Sequence, residues 1–291
     1  MFLKDFLLRL HLCKGIGIKG ENLVYKYFSK IKSSNFRVPD ALEIKDIAKI
    51  NSKHFESFIL DYQRLMFENE IVSKLINNEK WIAICDPEYP QQLKESYLPP
   101  NVLFYRGNWD LVHTRQLGIV GSRQATEYSV MGIKKLLNYE VYSRITIVSG
   151  LAKGVDTLAH QFAIAKNIPT VAVIGTGLNV FYPRENEKLQ KIIGKKNLLI
   201  SEYPDYVRGY RSHFPERNRI IAGLVQSILV TEAKHHSRSL ITANLALQNN
   251  RNVLAIPGPI NSILCQGTNE LILAGAKPIL TGKDILEEFN I

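Results

Sequence analysis

Two hydrophobic patterns divide the chain. Through residues 1–75 apolar residues recur at the three- and four-residue spacing of amphipathic helices, as in Phe2-Leu3, Phe6-Leu7 and Leu10. No convincing strand pattern occurs there. This part of the sequence therefore predicts a small, all-α N-terminal domain.

After residue 110 short apolar runs alternate with segments of helical length. Runs that are apolar at every position indicate strands buried on both faces, and their alternation with helices indicates a parallel sheet covered on both sides. The runs are 117–121, 145–149, 170–175, 198–201, 227–231 and 252–257. Residues 111–291 are thus predicted to form an extended Rossmann-like domain with a doubly wound, mostly parallel sheet.

Residues 76–110 separate these two parts and are rich in proline. They include Asp86-Pro-Glu-Tyr-Pro90 and Pro99-Pro100. Because proline limits regular structure, this stretch predicts an ordered connector that packs on the α/β domain.

Composition is that of a globular chain with an excess of basic residues. The 291 residues are 45% hydrophobic and 22% charged, which excludes a disordered or collagen-like protein. No apolar run approaches the ~18 residues of a membrane helix, and no signal peptide is evident. The 37 basic and 27 acidic residues give a net charge of +10. That excess has two explanations, solubility or a nucleic-acid partner.

The cysteines and histidines do not suggest a metal site. Cys13, Cys85 and Cys265 lie far apart, which argues against a disulfide framework or zinc and favours the reducing cytoplasm. The adjacent pair His235-His236 lacks the spacing of a helical metal pair. We therefore expect a cytoplasmic protein with no bound metal.

Glycine, hydroxyl and basic residues follow the predicted strands. In doubly wound sheets ligands bind beyond the carboxyl ends of the strands. Glycine-rich turns expose backbone amides, and the helix that follows adds a partial positive charge. Arg123 and Lys153 would add full charges, so the sequence predicts a phosphate-binding rim at 121–123, 149–157 and 175–183. The alternative is that these turns need glycine only for their own geometry.

The known motifs of catalytic sites match this sequence less well than a phosphate-binding rim does. Gly175-Thr-Gly177 begins like a dinucleotide fingerprint, but Val180 replaces the third glycine and the motif follows the third run. Neither a Walker A loop nor a Gly-x-Ser-x-Gly elbow occurs, so no cofactor is expected. Glu202 and Glu232 end successive strands and could face one site. A helix cap or a buried salt bridge explains them equally well.

Residues 203–219 combine arginines with aromatic residues. Arginine forks bind phosphates, and aromatic faces stack on unpaired bases, so this composition favours single-stranded over duplex nucleic acid. Packing of the aromatic rings on the sheet is the alternative. The residues concerned are Arg208, Arg211, Arg217, Arg219, Tyr206, Tyr210 and Phe214.

A glycine-rich turn also lies between the first two predicted helices, at Lys14-Gly-Ile-Gly-Ile-Lys-Gly20. It is similar to the hairpin of a helix–hairpin–helix, in which glycine amides approach a DNA phosphate. A plain connection between two helices explains it as well.

The order of motifs over roughly residues 80–285 resembles the DNA-processing protein A (DprA/Smf) family. The N-terminal helices are similar to the sterile-alpha-motif-like domain of some members. The motifs are Gly121-Ser-Arg123, Ser149-Gly-Leu-Ala-Lys-Gly-Val-Asp156, Gly175-Thr-Gly-Leu-Asn-Val-Phe-Tyr-Pro183, Ser201-Glu-Tyr203, Phe214-Pro-Glu-Arg-Asn-Arg-Ile-Ile-Ala222, Ala255-Ile-Pro-Gly258 and Gly267-Thr-Asn-Glu-Leu-Ile-Leu-Ala-Gly-Ala276.

The resemblance implies a non-catalytic protein that binds single-stranded DNA, loads RecA recombinase onto it in natural transformation, and forms homodimers. Arg123, Lys153 and Arg211 would clamp phosphates, and Phe181 would stack on a base. The positions that match the family's DNA pocket are Ser122, Arg123, Ser149, Gly150, Lys153, Gly154, Phe181, Arg211, Arg217 and Arg219.

The chain departs from the family pattern at two points. Arg238 stands where many members have the glycine of Ser-Gly-Ser-Leu, so this cation could add a phosphate contact or alter the pocket. Many members also carry a C-terminal winged-helix-like domain. The sequence stops at Ile291, shortly after the last motif, and we expect no such domain here.

A nucleotide-hydrolysing enzyme is the alternative function. Phosphoribohydrolases of a related Rossmann fold carry a Pro-Gly-Gly-x-Gly-Thr-x-x-Glu motif. Pro257-Gly258 and Gly267-Thr-Asn-Glu270 share pieces of it, but their first glycines lie nine positions apart.

Overall fold

The computed structural model describes residues 1–31, 36–76 and 79–291. All strands of these ranges lie in one nine-stranded sheet. They are β1 (Lys80–Ala83), β2 (Val102–Gly107), β3 (Gln116–Val120), β4 (Thr146–Ser149), β5 (Thr170–Ile174), β6 (Leu198–Ser201), β7 (Ser227–Val230), β8 (Asn252–Ala255) and β9 (Lys277–Pro278).

The α-helices of the same ranges cover both faces of the sheet and build the N-terminal region. They are α1 (Leu3–Leu12), α2 (Ile18–Phe28), α3 (Ala41–Ala48), α4 (Ser52–Phe67), α5 (Asn69–Ile76), α6 (Gln91–Lys94), α7 (Glu127–Leu136), α8 (Tyr139–Tyr142), α9 (Val155–Ala165), α10 (Glu187–Lys196), α11 (His213–Leu224), α12 (Arg238–Gln248), α13 (Gln266–Leu273) and α14 (Gly282–Glu288).

The sheet order is β1-β2-β6-β5-β4-β3-β7-β8-β9, and the seven strands from β6 to β9 are parallel. From β3 the chain adds β4, β5 and β6 on one side, then crosses over and adds β7, β8 and β9 on the other. Alternate side chains enter two cores: Ile147 packs in one and Val148 in the other. The predicted doubly wound, Rossmann-like fold is confirmed, and its six predicted runs are β3 to β8.

The segment 76–110 is more regular than its prolines suggested. It contributes β1 and β2, which pair antiparallel and extend the sheet beyond β6. Pro87, Pro90, Pro99 and Pro100 all lie between these strands, so they end the strands without interrupting a ladder. The proposed boundaries at 75 and 110 stay a prediction.

The N-terminal helices have their own aromatic core, which continues into the sheet. Phe6 of α1 packs edge-on against Phe28 of α2, with 5.7 Å between ring centroids. Side chains of Asp40 and Asn51 cap α3 and α4. One hydrophobic cluster includes both Phe6 and Phe104 of β2, so the predicted helical region is packed directly on the α/β part.

Candidate functional site

A cavity of about 630 Å³ opens at the carboxyl edge of the sheet, where the strand order reverses between β3 and β7. Doubly wound proteins bind ligands at such a switch point. The walls come from the loops after β3, β4 and β7 and from α11 and α12. The polar lining residues are Ser122, Arg123, Gln124, Asp156, Arg217, Asn218, Lys234, His235, His236, Ser237, Arg238, Ser239 and Thr242.

The loops after β3 and β4 are packed together through Gly154. This residue has φ +79°, and a Cβ there would overlap the carbonyl oxygen of Ser122. The Val155 amide donates to that same carbonyl at 3.1 Å. Ser122 Oγ in turn accepts from the amide of Gln124 at 3.0 Å. Glycine at 154 therefore brings the Arg123 and Lys153 backbones side by side.

A buried cation, Arg217, faces the cavity from α11. It is only 4% exposed, and its Nη1 donates to the Val173 carbonyl at 2.6 Å. A Cβ at Gly150 would overlap the Arg217 guanidinium, so glycine there makes room for it. Burial lowers the pKa of Arg217, and the charge of Asp156 opposes that shift.

Asp156 completes this buried group. Its carboxylate accepts from the amides of Gly150 at 3.2 Å and Ala152 at 3.4 Å. Burial raises the pKa of Asp156, and Arg217 opposes the rise. Within the described residues, Nε of Arg217 has no hydrogen-bond partner. This nitrogen is itself buried, so the guanidinium has one unsatisfied donor beneath the cavity.

Three other predicted cations, Arg123, Lys153 and Arg211, are exposed. In the described ranges Arg123 and Arg211 form no ion pair, and Lys153 pairs with Glu185 at 2.6 Å. Both partners of that pair face solvent, where such pairs contribute little to stability. A smaller cavity joins Arg123, Gly150, Lys153 and Arg217. The exposed cations can therefore exchange solvent or a weak partner for a phosphate.

The aromatic residues that line this smaller cavity are Tyr182 and Phe214, and the predicted Phe181 is not among them. Tyr182 is 52% exposed, and its ring lies 5.0 Å from that of Phe214. Phe181 is half-buried beneath Lys191 of α10, with Nζ 5.0 Å from the ring centroid. The two adjacent aromatic residues have different surroundings, and the sequence Phe181-Tyr-Pro183 does not show which of them is exposed.

Two further predicted residues lie behind the surface. Ser149 is fully buried, and its Oγ donates to the Ile119 carbonyl at 2.6 Å. Arg219 is 6% exposed and forms a buried ion pair with Glu202. Neither side chain reaches the cavity. Arg211 instead lies on the exposed loop before α11, next to Tyr210, which is 65% exposed.

The opposite wall is formed by the start of α12, where Ser237-Arg-Ser-Leu240 departs from the family pattern and the serines were not predicted as site residues. Ser239 Oγ donates to the Gly121 carbonyl at 2.8 Å and ties this wall to the loop after β3. Ser237 Oγ is buried without a partner in the described residues. Arg238 and Lys234 are exposed on the same wall. A run of serines and cations after a predicted strand was the available signal.

The strand-ending glutamates do not form an acid–base pair. Glu232 accepts from the Thr126 amide at 3.0 Å, from Thr126 Oγ1 at 2.7 Å and from Ser129 Oγ at 2.6 Å. It thereby stabilises the N-terminus of α7. Glu202 is engaged by Arg219. The cap and the buried salt bridge are the alternatives that the structure supports.

His235 also has a partner other than a metal. Its Nδ1 lies 2.7 Å from Glu270 Oε1, and both side chains are about half exposed. In the described part of the chain, no three His, Cys, Asp or Glu side chains come together as metal ligands would. None of the helices in the same ranges is long and apolar enough to cross a membrane.

Comparison with known proteins agrees with this geometry. The sequence profile of the DNA recombination-mediator protein A family matches residues 80–290. The chain belongs to this family. It is 39% identical over 273 residues to the DNA processing protein DprA of Streptococcus pneumoniae, covering 94% of this chain and 96% of that protein.

Solved structures of the family superpose on the same fold. The X-ray structure of DprA from S. pneumoniae has a TM-score of 0.89 at 36% identity and covers 99% of both chains. DprA from Helicobacter pylori, whose structure was described for its single-stranded DNA binding mode, has a TM-score of 0.65 at 27% identity. It covers 73% of this chain and 96% of its own. Membership in this family assigns the protein to DNA processing and recombination.

Proposed function

We propose that this protein binds single-stranded DNA along the carboxyl edge of its sheet, protects it, and loads RecA recombinase onto it during natural transformation, without catalysing a reaction. The observation that carries the proposal is the convergence of Arg123, Lys153 and Arg217 on a glycine-lined cavity beside the exposed ring of Tyr182. Guanidinium forks and amides recognise phosphates, and an exposed ring stacks on unpaired bases.

The proposed binding residues follow from their placement. Arg123, Lys153 and Arg211 contact phosphates, Tyr182 stacks on a base, and Arg217 supports the bound phosphate from below. Gly150, Gly154 and Ser122 shape the loops, while Ser149, Phe181 and Arg219 act from behind the surface. The H. pylori relative, whose structure was described for its single-stranded DNA binding mode, supports single-stranded DNA as the ligand.

The partners are part of the same proposal. RecA, a second copy of the chain and a cytoplasmic location are what the family resemblance implies. Large apolar side chains exposed at Ile260, Ile263 and Leu273 provide surface for self-association. Light scattering of the purified protein distinguishes a dimer from a monomer, and RecA filament formation on oligo-dT with and without the protein tests loading.

The deciding experiment is fluorescence anisotropy of labelled oligo-dT against the purified protein over a salt series. An unlabelled duplex of equal length serves as competitor. We expect binding that weakens as salt rises, because phosphate contacts release counterions, and that the duplex competes poorly, because its bases are already stacked. Absent binding, or equal binding to duplex, contradicts the proposal.

One observation bears on the hydrolase alternative. Asn269 Oδ1 accepts from the Gly258 amide at 3.1 Å, and Asn269 Nδ2 donates to the Gly258 carbonyl at 3.0 Å. The separated motif pieces thus meet in space, next to the Glu270–His235 pair. Release of free base from a nucleoside monophosphate, lost in Glu270→Gln, would establish the enzyme. Absence of turnover supports the non-catalytic function.

A further inference from the structure

Four buried charged side chains join the N-terminal helices to the α/β part, and we call them the interdomain cluster: His11, Glu21, Glu202 and Arg219. His11 Nδ1 donates to Glu21 Oε2 at 2.9 Å, and its Nε2 donates to the Glu202 carbonyl at 2.7 Å. The Glu202 carbonyl can only accept, and so can Glu21 as a carboxylate; both ring nitrogens then carry protons and His11 is an imidazolium, in line with its raised pKa. Arg219 donates to the Glu202 carboxylate.

The cluster ties the position of the helices to the end of β6. Buried charges are costly unless they are paired, and His11 from α1 lies between Glu21 of α2 and Glu202 after β6. Two neutral contacts reinforce the joint. The Asn101 side chain donates to the Glu21 carbonyl at 2.8 Å, and that of Asn22 donates to the Pro99 carbonyl at 3.0 Å. The helices therefore have one preferred docked arrangement.

Helix α11 belongs to both the cluster and the cavity. Phe214, Arg217 and Asn218 line the cavity, while Arg219 enters the cluster. Glu216 accepts from Tyr203 Oη at 2.7 Å, next to Glu202 in the chain. Because Arg217 fits only where Gly150 leaves space, a small shift of α11 displaces its guanidinium.

The helical region has no comparable site of its own at its glycine turn. The Lys14 amide donates to Asp61 Oδ2 at 3.1 Å, so a carboxylate already occupies the place where a phosphate would approach. Gly15 packs directly on the backbone of His54. The helix–hairpin–helix interpretation of this turn therefore receives no support, and a connection between two helices explains it.

We propose that the N-terminal helical region is a positioning element for the strand-binding site: through the interdomain cluster it holds α11 so that Arg217 lies against Gly150 at the cavity. His11 and Glu202 are then positioning residues that never touch the DNA. This inference rests on the proposed function, because its readout is single-strand affinity.

The test compares full-length His11→Gln with wild type in the oligo-dT titration. We expect about tenfold weaker binding, within the usual range of coupling between sites, from a protein that still unfolds cooperatively. Tyr62→Phe is the matched control: Tyr62 Oη donates to the Pro39 carbonyl at 2.8 Å within the helical region, away from the cluster. Its binding should equal wild type. Glu21→Gln, which keeps an acceptor for His11, is the second variant should His11→Gln not fold.

A double-mutant cycle separates positioning from general destabilisation. The effect of His11→Gln should shrink in an Arg217→Lys background and stay the same in an Arg123→Gln background. The inference is overturned if folded His11→Gln and Glu21→Gln bind with wild-type affinity, or if the effects of His11→Gln and Arg217→Lys are additive. Either result leaves the proposed function intact. Failure of the wild-type protein to bind oligo-dT overturns the proposed function and this inference with it.

Discussion

Two groups of charged residues lie close together at the carboxyl edge, and they differ in how their charges are balanced. Arg123, Lys153 and Arg211 face solvent with weak ion pairs or none among the described residues. The interdomain cluster is closed, and its members pair with one another. A buried charge must be compensated by the protein itself, whereas an exposed cation is available to an anionic ligand. A charged side chain therefore indicates a binding role here only where it is exposed and has no strong partner within the protein.

The largest effect should be a loss of stability when one member of the interdomain cluster is removed. Arg219→Leu leaves the Glu202 carboxylate buried without its partner, so we expect the free energy of unfolding to fall by about 3–5 kcal/mol. Urea denaturation measures the loss. Arg208→Leu, an exposed arginine of the preceding loop, is the control and should change stability by less than about 0.5 kcal/mol. Equal stability of the two variants would deny the cluster a structural role.

Charge reversal among the exposed cations Arg123, Lys153 and Arg211 should change DNA binding and leave stability unchanged. Arg123→Glu should weaken oligo-dT binding about ten- to a hundredfold and lower the salt slope by about one phosphate contact. Arg115→Glu is a matched control, because this exposed arginine precedes β3 at the opposite edge of the sheet. Anisotropy titrations at several salt concentrations compare them. Equal losses would mean that only net charge matters.

The pH dependence of stability should also distinguish the interdomain cluster from the exposed cations. Burial disfavours the charged form of His11, but Glu21 and Glu202 outweigh it and raise its pKa from 6.5 to about 9. A raised pKa means that the stabilisation is complete below pH 6.5 and is lost as the pH rises through about 9. Thermal melting should therefore show wild type losing stability between pH 7 and about 9.5. His11→Gln should lack this loss. A parallel decline in both would assign it to other groups.

The smallest effect on DNA binding is expected for the two neighbouring aromatic residues, and it should show which of them stacks on a base. Stacking on a base contributes about 1–3 kcal/mol, and we expect the lower end for Tyr182, which already packs on Phe214. Tyr182→Ala should weaken oligo-dT binding about fivefold, and Phe181→Ala should not. The titration with both variants tests this directly. The reverse result would restore Phe181 as the stacking residue.

Local pattern predicted the fold well because burial on both faces leaves a continuous apolar run. Each of the six runs is a strand, and their carboxyl ends meet at one edge since the strands are parallel. Strands β1 and β2 were not predicted, because the four prolines that lie between them are typical of irregular structure. The two-residue β9 is too short to give a periodic signal.

The site was predicted at the level of loops and less well at the level of side chains. Arg123, Gly150, Lys153 and Arg217 do line the same small cavity. Ser149 and Arg219 carry suitable chemistry in suitable motifs, yet both point inward. The direction of a side chain depends on what packs around it, and no motif records that.

The sequence by itself determined the order of strands and helices, the glycine turns at strand ends and the family to which they belong, because these depend on local periodicity and on conformations that only glycine adopts readily. The tertiary structure decided which charges are buried. Arg217 and Arg219 are two residues apart on one helix. Arg217 faces the cavity, while Arg219 pairs with Glu202, whose backbone carbonyl accepts from His11. That division arises because α1 packs on β1 and β2 and places His11 against the residue that follows β6, a contact between segments that are distant in sequence.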